Sequence, residues 1–163
     1  MTRDASLPAR VIRAAVALMI GASVVVALPT SVRPAQADPA MSAAEIAVAF
    51  EWSIDVERIV RGLAPLSVDG AVSTQAQQWS GGMALFHTLA EDRFYGAELS
   101  AAAPTWRFGG ENVGVGPSPA SIEAAFMASP PHRANMLGPF THVGVGVFVD
   151  AHGTIWVTER FYR

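Results

Sequence analysis

Two histidines and one glutamate, His87, Glu111 and His132, are the residues of this chain best suited to chemistry, and they fall within 46 residues. Two neutral imidazoles and a carboxylate supply the ligands of an open divalent-metal site, in which Glu111 could act as general base on a metal-bound water. The same set would also serve as an acid/base pair with an orienting partner. Structural roles compete, because a carboxylate leading a strand accepts backbone N–H bonds and a single histidine often packs in a core.

Two predicted helices precede the strand that carries Glu111. Ser42 and Glu45 form a capping box ahead of an apolar-periodic stretch that Gly62 can end, which predicts a helix over 43–61. Asp69 can cap a second helix. Its apolar residues recur at spacings of four, three and four, which gives one apolar face and places His87 just past the helix end; these residues are Val72, Ala76, Trp79 and Met83.

Two further helices are predicted to begin at prolines. Ser118 before Pro119 is typical of an N-cap followed by proline at the first helical position. Ser129 before Pro130 repeats the pattern and predicts a short helical turn, which would hold His132.

The C-terminal segment has the clearest strand pattern. Valines alternate with small or polar residues over 142–149, and turn residues at 150–153 precede a second run over 154–161, which predicts a hairpin. A first strand is expected to contain 111–115. Residues 93–110 show no clear periodicity and predict a long ordered loop.

The expected hairpin register places a second acid on one sheet face. A symmetric two- or four-residue loop pairs Val149 with Thr154 and Gly144 with Glu159. Glu159 would then share a face with His142, placed diagonally. The glycines of this strand leave that face without bulk, which often marks close approach by another chain or a ligand.

The first 37 residues have the pattern of a secretory signal peptide. A basic start precedes about 15 apolar residues over 14–28, and Ala35-Gln36-Ala37 offers a cleavage site. An uncleaved anchor is the alternative, although a span needs about 20 apolar residues. Residues 38–163 would then form a single exported domain, and a membrane would be a partner only if the leader stays in place.

Composition excludes several classes of function. Residues 38–163 hold seven arginines against thirteen acidic residues, a formal charge of −6, which argues against nucleic acid as a partner. The chain has no cysteine, so a cysteine nucleophile, thiolate ligands to zinc and disulfides are all excluded. A small exported domain without disulfides must rely on packing, or on packing with a metal.

Six motifs, in order along the chain, resemble the bacterial branch of the CAP superfamily, which groups cysteine-rich secretory proteins, antigen 5 and plant pathogenesis-related 1 proteins. The resemblance covers about Met41 to Arg163. The absence of cysteine favours the bacterial branch, because eukaryotic relatives are usually rich in disulfides. The motifs are Arg-x-x-x-Gly-Leu-x-Pro-Leu at 58–66, a helix ending in Phe-His at 86–87, Gly-Glu-Asn-Val at 110–113, and the stretches 129–137, 140–147 and 156–161.

The resemblance implies an α+β fold, an α-β-α sandwich with a small three-stranded antiparallel sheet between helices. It also implies that His87, Glu111 and His132 lie in a central cleft, where some members bind a divalent metal such as zinc, often through the two histidines. Asn112 is a further cleft candidate.

One acidic residue of the family's cleft is missing from this chain. Relatives carry it shortly after a tryptophan of the third helix, a position that resembles Phe126 here, and Ala128 and Ser129 follow it. Glu123, on the same helix, is expected to be a solvated carboxylate. Glu159 is therefore the candidate replacement, together with His142 on the same predicted strand face.

These expectations favour binding over catalysis, because the resemblance supplies no common reaction. The chain is predicted to be a secreted or cell-envelope, non-catalytic binding module. Its His/Glu cleft would take a divalent metal, a small apolar or lipid-like ligand, or an envelope partner. The alternatives are a metal-dependent hydrolase with His87 and His132 as ligands and Glu111 as general base, and a structural protein with a vestigial cleft.

Overall fold

The computed structural model describes residues 41–163, and the predicted leader, residues 1–37, lies outside them. No helix in this described part is long and apolar enough to span a bilayer. In chain order the elements are α1 (Ala43–Ile59), β1 (Ser67–Val68), α2 (Gly70–Phe86), α3 (Tyr95–Ala102), β2 (Gly109–Gly116), α4 (Pro119–Ala128), α5 (Pro130–Met136), β3 (His142–Val149) and β4 (Ile155–Tyr162).

The strands form one sheet in the order β1-β3-β4-β2, in which β4 pairs antiparallel with both neighbours. The α+β sandwich is confirmed. The sheet has one strand more than expected, because Ser67 and Val68 pair in parallel with His142 and Val143. A two-residue strand is too short to show an alternating pattern in the sequence.

The predicted helix starts are confirmed. The Ser42 hydroxyl accepts a hydrogen bond from the Glu45 amide, and the Glu45 carboxylate accepts one from the Ser42 amide at 2.7 Å. Asp69 caps α2 by accepting bonds from the first-turn amides of that helix. Ser118 caps α4 in the same way. These short-range bonds satisfy N–H groups that a helix start leaves unpaired, so they can be read from local sequence.

The hairpin register differs by one residue from the predicted one. Val149 pairs with Ile155 and Gly144 pairs with Arg160, because a loop of five residues joins β3 to β4. Asp150 closes that loop by accepting bonds from two backbone amides. A one-residue slip moves every side chain to the other face, so the prediction that Glu159 shares a face with His142 was wrong.

Glycines of β3 let α2 lie close against the sheet, as their close-approach pattern predicts. A side-chain carbon on Gly144 would lie 2.6 Å from the Ser73 amide nitrogen, and one on Gly146 would overlap the backbone of Ala76 and Gln77. The occupant of this space is therefore a helix of the same chain rather than a ligand. The other sheet face packs on α1, α4 and α5 through the larger core, which includes Phe50, Ile54, Phe126, Val145 and Phe161.

The prediction of a loop over 93–110 was wrong in part, because Tyr95–Ala102 form α3. This helix buries one apolar residue, Leu99, against Val72 and Tyr162. One buried position in eight residues gives no helical period, so the pattern was invisible in the sequence.

Arg58 of α1 fixes the end of α5, the helix that carries His132. Its buried guanidinium donates to the carbonyl oxygens of Met136 at 2.8 Å and Gly138 at 2.9 Å. These carbonyls lie at the C-terminal end of α5, where C=O groups without a partner inside the helix attract a cation.

We expect Gly146→Ala to destabilise the domain by about 3 kcal/mol or more, because the added carbon overlaps helix backbone that cannot move without shifting α2. Gly82→Ala is the matched control, since an added carbon there meets no atom within 4 Å and replaces glycine inside a helix. Urea denaturation of both variants checks this. Equal stability of the two would contradict the close-approach account.

Candidate functional site

Arg160 organises the region around Glu111. Its side chain is fully buried, and its nitrogens donate to carboxylates of Glu111 at 2.8 Å, Glu98 at 2.6 Å and Asp92. The guanidinium also lies over the ring of Tyr95, 5.1 Å from its centroid. One cation thus joins β4, β2, α3 and the segment that precedes α3.

Both carboxylate oxygens of Glu111 are occupied by these contacts. One accepts the Arg160 bond and the other accepts the Asp92 amide at 2.6 Å. Burial raises the pKa of Glu111, while the bonds from Asp92 and Arg160 oppose that rise. A carboxylate held in this way, with a side chain only 5% exposed, lacks the access to solvent that a general base needs.

The three residues predicted as metal ligands do not form one group. Within residues 41–163, no set of three or more His, Asp or Glu side chains is placed to hold a metal ion. The reason is that Glu111 turns to Arg160, while His87 and His132 line different cavities. A site held by the two histidines without Glu111 stays a prediction.

His132 lies at the end of an open cavity of about 440 Å³, which we call the edge cavity. Its walls are the second half of β2, one face of α4 and Leu89. The imidazole packs against Phe126, with ring centroids 5.0 Å apart. The walls are mainly apolar, and Ser121 and Ser129 add hydroxyl groups.

His87 closes α2 in a left-handed backbone conformation, with φ of 47°. This conformation ends the helix and directs the ring toward Trp156, with centroids 6.5 Å apart. His87 lines a second cavity of about 320 Å³, together with Phe148 and His152. The prediction that it follows the helix end is confirmed.

Glu159 and Glu123 form a buried carboxyl pair between β4 and α4. Glu159 is fully buried, and Glu123 is 5% exposed, so the expectation that Glu123 is solvated was wrong. Asn112 donates to Glu159 at 2.9 Å and to the His132 carbonyl at 3.2 Å. Among described residues, both oxygens of Glu123 lack a hydrogen-bond donor. The pair therefore consists of two buried acids, of which only Glu159 accepts a bond, from Asn112.

A proton retained by the pair resolves this conflict. Burial, followed by the charge of Glu159, raises the pKa of Glu123 to about 10. Burial raises the pKa of Glu159 to about 7, although the Asn112 bond lowers it. Two nearby carboxylates with little solvent cannot both ionise, so the pair keeps a proton at neutral pH.

His142 lies away from the other cleft candidates. Its ring stacks on Tyr162 with centroids 4.7 Å apart, and its Nδ1 bonds the Thr141 hydroxyl at 2.8 Å. Glu159 points to the opposite sheet face because of the register. The two residues therefore do not replace the missing acid together.

Sequence reasoning missed Arg160, Asp92 and the Glu123 to Glu159 pairing. A signal existed, since Glu159 and Arg160 are adjacent charges inside an otherwise uncharged strand, and all eight residues of β4 are buried. Charged groups in such a strand need partners. The identity of those partners depends on elements far apart in the chain.

We expect Arg160→Met to destabilise the domain by about 3–5 kcal/mol, because it leaves buried carboxylates without their cation. Arg61→Met is the control. It removes an exposed pair with Glu57 and should change the free energy of unfolding by less than about 1 kcal/mol. Thermal and urea unfolding measure both, and a small effect at Arg160 would show that the cluster contributes little.

The free energy of unfolding should fall as pH rises from about 5 to about 10, by up to about 1.4 kcal/mol per pH unit for each proton that the folded acid pair retains. The sign follows because folding raises both pKa values above the ordinary 4.5, so the folded state binds more protons. Glu123→Gln should flatten this slope relative to wild type, since the amide can donate to Glu159. Glu91→Gln is the control at an exposed carboxylate away from the pair. An unchanged slope in Glu123→Gln would contradict the retained proton.

Comparison with known proteins gives one family match. Residues 54–160 match the model of the cysteine-rich secretory protein family, CAP. No curated protein matches the chain.

Solved bacterial structures share the fold at low identity. An outer surface protein from Borrelia burgdorferi is 13% identical with a TM-score of 0.69, over 76% of this chain and 96% of that one. A cysteine-rich secretory protein from Staphylococcus aureus is 16% identical with a TM-score of 0.63, over 76% of this chain. An extracellular protein with an SCP domain from Bacillus anthracis is 22% identical with a TM-score of 0.60, over 78% of this chain. This chain spans 40% and 45% of the last two proteins.

Proposed function

Because the chain belongs to the cysteine-rich secretory protein (CAP) family, we propose that it is an exported, non-catalytic binding domain whose edge cavity receives the apolar part of a ligand. The edge cavity is the observation that carries this proposal. It is an open space of about 440 Å³ with walls that are mostly apolar. Ligand sites in proteins are typically concave and apolar, with a few polar groups that orient the ligand.

The walls of the edge cavity suit an apolar group of modest size. Ile122 and Phe126 of α4 form one side, and Val113 and Val115 of β2 form another. Leu89, which is 50% exposed, stands at the rim and loses solvent contact when a ligand binds. His132 supplies one imidazole for a polar end of the ligand.

The state of Glu111 supports binding rather than catalysis. Its oxygens accept bonds from Arg160 and the Asp92 amide, and its side chain is only 5% exposed, so an attacking water has little access to it. A hydrolase of the predicted kind needs this carboxylate as its base. Metal content of the purified domain tests the two-histidine site, with His87→Ala/His132→Ala as the comparison.

Export is supported by the predicted leader and by the printed descriptions of the bacterial structures. The Borrelia protein is described as an outer surface protein, and the Bacillus protein as extracellular. A binding domain of the cell envelope agrees with both. Its ligand would then be a small apolar or lipid-like molecule, or a component of the envelope.

We expect the full chain to bind a fluorescent apolar probe, and Ala125→Trp to weaken that binding at least about tenfold, because the indole fills the edge cavity. Ala124→Trp is the matched control. It is the preceding residue of α4, is also exposed, and lines a separate cavity beside Glu57.

Fluorescence titration and mass analysis of native extracts measure this binding. Equal loss in both tryptophan variants would assign the effect to α4 stability instead of to the cavity. No uptake of any apolar probe by the wild-type chain would overturn the proposed function.

A further inference from the structure

β2 is an edge strand, because the sheet order places it outside β4 with no further strand beside it in residues 41–163. Phe108 and Arg163 exchange both backbone hydrogen bonds, at 3.0 and 3.3 Å. In an antiparallel pair such bonding alternates along the strand. From this starting point, Gly110, Asn112 and Gly114 bond to β4, and the residues between them turn their backbone groups outward.

The first half of this outer edge is covered. The carbonyl of Glu111 points outward and accepts the Asn135 side chain of α5 at 3.0 Å, which agrees with the alternation. Asn135 also bonds the Asn112 side chain at 2.9 Å. α5 thereby occupies the edge as far as Asn112.

The second half of the edge lies open to the edge cavity. Within residues 41–163, no backbone group pairs with the outward N–H or C=O of Val113 or Val115. Both residues line the cavity, and Gly116 and Pro117 continue its wall. The strand therefore presents two donors and two acceptors at alternating positions beside an apolar groove.

Unpaired strand edges are templates for another strand. An acyl chain could fill the groove, but it cannot bond the amides and carbonyls of Val113 and Val115. An extended peptide satisfies both needs, because its backbone repeats donors and acceptors at the same spacing and its alternate side chains enter pockets.

The two sides of the groove predict where the alternate side chains of a bound peptide would lie. Gly114 faces α4 so closely that a side-chain carbon there would lie 2.7 Å from Phe126 and 2.8 Å from Ile122. A peptide residue beside Gly114, one strand spacing further out, would place its side chain along these two residues. The peptide residues before and after it would point their side chains to the opposite sheet face, toward Leu89.

We propose that the edge cavity binds an extended segment of another envelope protein, which adds to the sheet as a short strand paired with Val113 and Val115. The proposal rests on the proposed function and names its ligand class. Pro117 limits the pairing to a few residues, since a proline cannot donate to a ladder. The formal charge of −6 on residues 38–163 favours a neutral or basic segment, with apolar residues at alternate positions and no proline at the paired positions.

The test uses two peptides and two variants of the full chain. The first peptide is acetyl-Lys-Val-Thr-Val-Thr-Val-Lys-amide, and the second is its analogue with an N-methyl group on every internal amide, which keeps its apolarity but removes the donors of both strand edges. Val115→Pro deletes one outward N–H, where proline is tolerated at a sheet edge. Val115→Thr keeps the N–H and the side-chain shape, and is the matched control.

We expect the first peptide to bind the wild-type chain and Val115→Thr, and to lose at least about tenfold in affinity for Val115→Pro. The N-methylated peptide should show a similar loss against wild type. Amide exchange at Val113 and Val115, followed by NMR, should slow when the first peptide is added. The loss of binding of the fluorescent apolar probe in Val115→Pro should be much smaller than the loss of the first peptide, because the probe makes no backbone bond to the strand.

Several results would overturn the inference. Equal binding of the two peptides, or equal binding to both Val115 variants, would show apolar contact without strand pairing. Binding of the apolar probe without either peptide would assign the cavity to a lipid-like ligand and leave the proposed function standing, whereas no binding of any kind would reject both. Dimerisation lost in Val115→Pro would make a second copy of the chain the occupant. If Val115→Pro does not fold, the two peptides against wild type decide.

Discussion

The domain depends on one buried cation. Arg160 has no solvent contact, and it binds carboxylates from β2, from α3 and from the segment before α3. A buried charge of this kind is tolerated only when its partners surround it. This single requirement fixes the second half of the α2-to-α3 connection against the sheet and determines how Glu111 is used.

The same constraint changes the role of the set predicted as metal ligands, His87, Glu111 and His132. With Glu111 held by Arg160, the polar centre of the molecule is structural, and the open apolar space lies further along β2, beside His132. Asn112 separates the two regions, because it joins the buried acid of β4 to the backbone of α5. A rigid polar interior next to an open apolar groove suits recognition better than proton transfer, which needs groups free to exchange protons with a substrate.

Prediction from sequence succeeded where the cause is local and failed where it is not. The helix starts at Ser42, Asp69 and Ser118 depend on bonds within three residues, and all three are present. The hairpin was found but its register was off by one, because the loop contains five residues rather than two or four. That shift of one residue places the Glu159 side chain on the sheet face opposite to the predicted one.

The sequence by itself determined the α+β class, the family, the helix caps and the presence of a close backbone approach at the β3 glycines, because each follows from periodicity, capping or motif order along the chain. Only the tertiary structure decided which charges meet. Arg160 bonds residues 49, 62 and 68 positions earlier, and Glu159 meets Asn112 across 47 positions. Such pairings depend on how elements pack in three dimensions. The same packing places His87, Glu111 and His132 apart and leaves the outer edge of β2 open beside an apolar groove.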